Sequence, residues 1–339
     1  GPVHSFTVAF PGAGRFDEAP RARKIAQALG THHTELRADA QLLDDLPAFL
    51  ERFDDPVGTD SILPMYALSR LVRSRVTVAL GGDGGDELFG GYPHQRRLLR
   101  KLDLQTRLPA SLRAPIVATL LRALPIGTRG RSQLAGLVDG RAQALATGGM
   151  FLDEVARRRL LTAAASRALP PGAAEAARAA AAGDAQDPID AATRIDFRTT
   201  LPESFLLKVD RASMAASLEV RAPFLDDGLV EFAFGALSPA LKVGPAGAKR
   251  VPARLAERLL GSAIDTSRKQ GFTVPMAHWL DPAHGATIRD ALDTLPRSLI
   301  RPEAVRALLR SPRPHPARAN RVFALLAFAC WRRAHGIEP

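Results

Sequence analysis

The stretch VTVALGGDGGDELFGGY, residues 76–92, constrains this chain more than any other. Val76 to Leu80 carry no charge and read as a buried strand, after which Gly81, Gly82, Gly84, Gly85, Gly90 and Gly91 surround Asp83, Asp86 and Glu87. Glycines after a strand leave bare backbone N–H groups, the usual means of holding phosphate. The three acids oppose that use, since a carboxylate about 4 Å from a phosphate charge costs roughly 4 kcal/mol at a surface-like dielectric. Such a loop accepts a polyphosphate only with a cation in between. Mg²⁺, which takes one or two protein carboxylates plus phosphate oxygens, fits that place. Asp86 and Glu87 also suit the first turn of a helix. Calcium loops and plain turns share this composition, so the loop by itself leaves its chemistry open.

Around the loop, HSFTVAF (4–10) reads as a strand, DEAPRARKIAQALG (17–30) as a helix with acids in its first turn and Gly30 at its end, and THHTEL (31–36) as a second strand. A helix is expected over 39–53, a proline-bounded polar loop over 53–64 and a helix over 65–74. Strands alternating with helices predict an α/β fold with a parallel sheet covered on both faces. Ligands of such sheets sit beyond the carboxyl ends of strands, where GGDGGDE falls. Past about residue 95 no strand is evident and the chain reads as helical. An Ala-rich stretch over 173–182 reads as a surface helix or linker, and prolines at 312, 314 and 316 mark a further break. This divides the chain into an α/β part, 1–95, and a mostly helical remainder, 96–339.

The 339 residues suffice for an ample core. The longest apolar run, VFALLAFACW (322–331), is about half a membrane span and predicts a buried helix. No leader is evident at the start, and no membrane association is expected. The single cysteine, Cys330, lies in that run; a reducing, cytoplasmic setting fits, and an apolar helix makes a poor nucleophile of it. Net charge is +11, and only six of the 46 basic residues are lysine. The arginine runs QRRLLRKL (95–102) and ARRRLL (156–161) lack the interleaved aromatic residues of a base-stacking surface. They read as solvated helix faces, and no nucleic-acid partner is expected. His32 and His33 would face opposite sides of a strand, and His278 and His284 have no partner at ligand spacing, so no zinc site is expected.

Two further stretches carry candidate chemistry. In ESFLLKVDRASMAASLEVRAPFLD (203–226), Phe205, Leu206, Val209 and Met214 recur at helical spacing and read as core. Lys208 and Arg211 share a helix face and could point at an anion, with Asp210 and Glu219 orienting or neutralising them; a salt-bridged helix is the plainer reading. In SRKQGFTVP (267–275), Lys269 stands out in a lysine-poor chain. A loop lysine there could neutralise departing pyrophosphate, and one well-placed donor supplies about 3 kcal/mol; a solvated lysine is the alternative.

Taken in order, GGDGGDELFGGY, LLKVDRASMAASLEVRAPFLD and RKQGF resemble the synthetase domain of glutamine-dependent asparagine synthetases, and the resemblance runs over nearly the whole chain. It implies a parallel-sheet ATP-pyrophosphatase α/β domain, of the adenine nucleotide alpha hydrolase kind, with a helical carboxy-terminal lobe. It also implies a carbon–nitrogen ligase that uses ATP and Mg²⁺ to adenylate the aspartate side chain. Ammonia drawn from glutamine by an amino-terminal glutaminase domain then gives asparagine, AMP and pyrophosphate. By resemblance, Val8 packs near adenine, while Gly81 and Gly82 approach the nucleotide through backbone. Asp83 is the acid important for the adenylate, Asp86 serves metal and pyrophosphate, and Lys269 is the transition-state lysine. Arg211 and Glu219 shape the site, and a homodimer is conceivable.

One feature of the resemblance is missing: no Ser-Gly-Gly-x-Asp-Ser run, the family's pyrophosphate loop on its first strand, occurs in 1–339. The chain is therefore expected to be the carboxy-terminal part of a longer enzyme, with weak or no ATP turnover alone. A relative adenylating another carboxylate, as β-lactam synthetases and lasso-peptide cyclases do, is the alternative within the fold, although Asp83 stands where the β-lactam-forming relatives carry tyrosine. A non-catalytic nucleotide-binding remnant is the alternative outside catalysis, and a nucleic-acid binder the third.

Overall fold

A computed structural model describes residues 3–11, 14, 17–37, 46–107, 109–123, 137, 140–244, 247–266, 285–310 and 316–337. Strand β1 (His4–Ala9) pairs in parallel with β2 (His32–Arg37), with Val8 opposite Leu36. The helix Ala19–Leu29 crosses between them. Pro20 opens it, and Gly30 closes it at φ 65° with its N–H on Gln27 and Ala26 carbonyls. The acids expected in its first turn stand just before it: the Asp17 carboxylate accepts the Ala19 N–H at 3.1 Å and that of Phe10 at 3.2 Å, tying strand end to helix start.

A second parallel pair holds the glycine loop. β3 (Val78–Leu80) lies beside β4 (Glu219–Arg221), with Val78 opposite Glu219 and the Gly81 N–H continuing the ladder to the Arg221 carbonyl at 2.8 Å. The expected parallel pairing is present, but among the described residues as two separate two-stranded pairs and not one sheet, and, against expectation, a strand forms after residue 95. Glu-Val-Arg carries no strand pattern of its own; it is extended because β3 offers it a parallel edge. β3 is also shorter than 76–80 and not buried, with Val78 39% and Leu80 74% exposed, because among the described residues only one of its edges is paired. A short antiparallel hairpin, β5 (Val243–Gly244) with β6 (Gly247–Ala248), follows.

The rest of the described chain is mainly helical. The expected helix over 65–74 starts earlier, at Ile62, and runs to Arg73; of that over 39–53, Leu46–Leu50 is described. The segment Asp196–Leu206 is wound as a wide π-helix around Pro202, which has no N–H to give, and tightens into the α-helix Leu207–Met214. Val209 of this helix is buried, but Met214, expected in the core, is 58% exposed at the helix end. One apolar cluster joins both parts of the chain: Val8 and Phe10 pack with Phe49 and Ile62, and with Phe323 and Leu326 of the helix Pro316–Ala334. The run 322–331 is thus the buried helix expected. Among the described residues no helix is long and apolar enough to cross a membrane.

Candidate functional site: a charged glycine loop

The loop after β3 turns at Gly84, whose φ of 91° is a left-handed conformation and whose missing Cβ would collide with Leu225 Cδ2 and lie 3.0 Å from its Cγ. A side chain is excluded there twice over. The helix Gly85–Phe89 follows, with Asp86 and Glu87 in its first turn as expected. Gly82 is exposed and its α-carbon faces open space, so its backbone is approachable.

Lys208 is within electrostatic reach of this loop. Its side chain is buried, the Nζ donates to Ser61 Oγ at 3.3 Å and lies 5.2 Å from the centre of the Phe205 ring. The helix Leu207–Met214 brings it there by packing along Ile62–Arg73, at whose start Asp60 and Ser61 stand. Burial depresses the Lys208 pKa, while the charges of Asp83, Asp60 and Glu87 hold it up. The reciprocal effects match: burial pushes the Asp60 carboxyl up to about 6 and raises that of Asp83, in each case opposed by the Lys208 ammonium. The charges of three carboxyl groups, those of Asp83, Asp60 and Glu87, thus act on one buried ammonium.

A second lysine meets the loop from the other side. Lys249 Nζ lies 2.6 Å from Asp86 Oδ1. Its backbone is left-handed, at φ 54°, and its N–H bonds to the Lys242 carbonyl at 2.9 Å across the β5–β6 hairpin. That hairpin is anchored by Lys242, whose fully buried ammonium lies 3.4 Å from Asp190 and 4.4 Å from the centre of the Phe234 ring.

Behind the loop is a polar brace. Gln95 is fully buried; its Oε1 accepts the N–H groups of Gly91 (3.0 Å) and Tyr92 (3.1 Å), and its Nε2 donates to Asp196 at 2.9 Å. His94 Nε2 reaches the same Asp196 oxygen at 2.8 Å. The Tyr92 hydroxyl donates to Glu87, and its ring stacks on those of His94 and Phe205. Burial raises both the Glu87 and the Tyr92 pKa, leaving the phenol protonated as the donor.

Of the residues singled out in the sequence, Gly81, Gly82, Asp83 and Asp86 come together in this loop. Val8 lies 4% exposed in the core beneath β1. Arg211 and Lys208 diverge despite their spacing: Arg211 turns outward to Asp54 at 2.8 Å. Glu219, at the start of β4, pairs with Arg221 at 2.7 Å on the surface. Lys269 lies outside the described residues, as do His278 and His284. In the arginine runs Arg96, Arg97, Arg100, Arg158 and Arg159 are exposed as expected, whereas Arg157 is partly buried and pairs with the buried Glu175 at 2.6 Å as well as with Glu154. Cys330 is buried and its thiol is pushed up to about 11. Asp60, Gln95, Lys242 and Lys249 were missed. For the lysines a signal existed, because the rarity that marks Lys269 marks all six.

The fold and loop define a mostly helical α/β protein with a charged, glycine-rich turn at the carboxyl end of a parallel strand, where open α/β sheets take their ligands. The chain belongs to the asparagine synthase family, whose sequence profile matches residues 1–333. It is 27% identical over 336 residues to the glutamine-hydrolysing asparagine synthetase 1 of Bacillus subtilis, covering 97% of this chain and 52% of that protein. With a putative glutamine-hydrolysing asparagine synthetase of Mycobacterium tuberculosis it shares 32% identity over 289 residues, 81% of this chain and 42% of the relative. It therefore spans about half the length of these relatives.

Proposed function

We propose that the chain is the synthetase part of a glutamine-dependent asparagine synthetase built on the ATP-pyrophosphatase fold. The aspartate side-chain carboxylate attacks the α-phosphorus of ATP and the bond to pyrophosphate breaks; ammonia then attacks the acyl carbon, AMP leaves and one proton is lost. The observation that carries this reading is the pairing of opposed charges around an open glycine backbone. Asp86 pairs with Lys249 at 2.6 Å, and the charges of Asp60, Asp83 and Glu87 act on the buried ammonium of Lys208. The surplus of negative charge suits a divalent cation with its phosphates. Mg²⁺ takes few protein carboxylates and completes its shell with substrate oxygens and water.

In this reading Asp86, which already holds a cation in Lys249, would hold Mg²⁺, and the ion would offset phosphate charge. Gly81 and Gly82 offer backbone to the nucleotide, with Val8 on the adenine side. Asp83 serves the adenylate-forming step and Lys269 the departing pyrophosphate. Arg211 and Glu219, turned to Asp54 and Arg221, shape the surroundings. The ammonia comes from glutamine through an amino-terminal glutaminase domain of the longer protein, in the cytoplasm. Because 1–339 has no Ser-Gly-Gly-x-Asp-Ser run, this polypeptide alone is expected to release little pyrophosphate.

The test is an assay of the full-length protein with ATP, Mg²⁺, ammonia and a panel of carboxylates. Stoichiometric asparagine, AMP and pyrophosphate, formed only with aspartate, is the expected result. Turnover with another carboxylate but not with aspartate would overturn the reading.

A further inference from the structure

We propose that Asp196 is a positioning residue of the reaction site, a buried carboxylate that sets the turn at Gly91 and Tyr92 and, through it, the carboxylate of Asp86. The inference rests on the reading of Asp86 as the acid that serves metal and pyrophosphate. Asp196 is 1% exposed and opens the π-helix Asp196–Leu206, an element type often found at functional sites. Its two oxygens face different ways. Oδ2 accepts from Gln95 Nε2 at 2.9 Å and lies 2.8 Å from His94 Nε2. Oδ1 lies 3.5 Å from Thr200 Oγ1 and 3.7 Å from Arg178 Nη2. That guanidinium is itself pinned: it donates to the carbonyls of Ala146 (3.0 Å) and Gly148 (2.9 Å) and to the hydroxyls of Thr199 (2.8 Å) and Thr200 (3.1 Å). One oxygen of Asp196 thus serves the loop side and the other an anchored cation.

Hydrogen-bond accounting fixes the direction of this chain. Gln95 Oε1 is taken by the N–H groups of Gly91 and Tyr92, so its Nε2 is what it offers to residue 196, and that residue must accept. Two consequences reach the loop. The Gly91 backbone is held against the Asp86 carboxylate, so close that a Cβ there would collide with Oδ1. The Tyr92 ring is held in a stack with His94 and Phe205, at centre distances of 5.3 and 6.1 Å, while its hydroxyl donates to Glu87, the neighbour of Asp86. Groups that orient a metal-binding carboxylate act through such bonds, and losing one typically costs about 10–100-fold in metal affinity or activity.

Asparagine at 196 has one acceptor oxygen and no charge, so D196N cannot answer Arg178 and the loop-side donors together. In the full-length protein labelled with ¹³Cζ-tyrosine and free of nucleotide, with the Tyr92 signal assigned by Y92F, D196N should move that signal toward the position of an unbonded phenol. H94L should move it the same way, and H94Q, which keeps a donor for Asp196, should restore it. With aspartate and ammonia, D196N and H94L should lower kcat/KM for ATP by at least about tenfold and leave KM for ammonia within about twofold, and H94Q should recover most of the loss. A Tyr92 signal unmoved in D196N that is folded by circular dichroism would refute the link from Asp196 to the loop. A moved signal with unaltered kcat/KM for ATP would make the brace structural only and overturn the positioning role. Should D196N fail to fold, H94L and H94Q decide by the same two readouts. The Tyr92 signal needs no substrate, so a failure of the asparagine reading would show in the carboxylate panel and not here.

Discussion

Lys249 and Asp86 form an ion pair of 2.6 Å against a wall made by a glycine: a Cβ on Gly91 would collide with Asp86 Oδ1 and lie 2.8 Å from Lys249 Cε. The pair joins the turn after β3 to the β5–β6 hairpin. A left-handed lysine is uncommon, and such strain, of order 1 kcal/mol, persists only where neighbours hold it. Here the Lys242 carbonyl and the Asp86 carboxylate do so.

Replacing Lys249 by methionine should therefore uncover the charge of Asp86. Both side chains are partly exposed, so the expected loss is modest, about 1 kcal/mol. Mg²⁺ should raise the Tm of K249M more than that of the parent protein if Asp86 accepts the ion. Thermal unfolding with and without Mg²⁺ reads this; an equal shift in both would argue against Asp86 as the metal carboxylate.

Gly84 should be intolerant of alanine. The substitution drives a methyl into the Leu225 side chain at a φ of 91°, and strain plus overpacking predict a cost of about 2–4 kcal/mol. Denaturant unfolding of G84A measures it, and a loss below about 0.5 kcal/mol would show that the turn relaxes freely.

The loop was legible in the sequence because its demands are local. Left-handed turns and close approach require glycine, and clustered acids show in composition wherever they are needed. The helix Pro316–Ala334 announced itself in the same way, through ten residues of near-continuous apolar character at 322–331. The partners of these elements were not legible. Helical spacing put Lys208 and Arg211 on one face but could not say that Lys208 ends on Ser61, 147 residues earlier, while Arg211 meets Asp54. Asp60 sits in an irregular loop with no period to read, and β4 owes its extension to β3. Gln95 was hidden inside an arginine-rich helix whose exposed face dominated the reading.

Gln95 tests that brace. Leucine at this position is close in volume but accepts nothing, leaving the Gly91 and Tyr92 N–H groups and Asp196 short of a partner. A cost of about 2–3 kcal/mol is expected. Q95L should also weaken nucleotide binding in the full-length protein, since Gly91 and Tyr92 set the position of Asp86 and Glu87. Calorimetric unfolding and ATP titration check the two effects separately, and a stable protein with unaltered ATP affinity would remove Gln95 from the account.

Asp60 supplies the prediction with the most distinctive sign. Its folded pKa, pushed up by burial to about 6, lies above the ordinary carboxylate value of 3.8, so the folded state binds the proton more tightly than the unfolded one. Stability must then fall as pH rises from about 4 to about 6, and stay lower above that. The penalty at pH 7 is on the order of 1–3 kcal/mol. An asparagine in its place carries no charge to bury. D60N should accordingly be more stable than the parent protein at pH 7 and no more stable near pH 4. Urea denaturation at the two pH values measures the difference. A D60N protein equally destabilised at both would mean that Asp60 serves only structural hydrogen bonds.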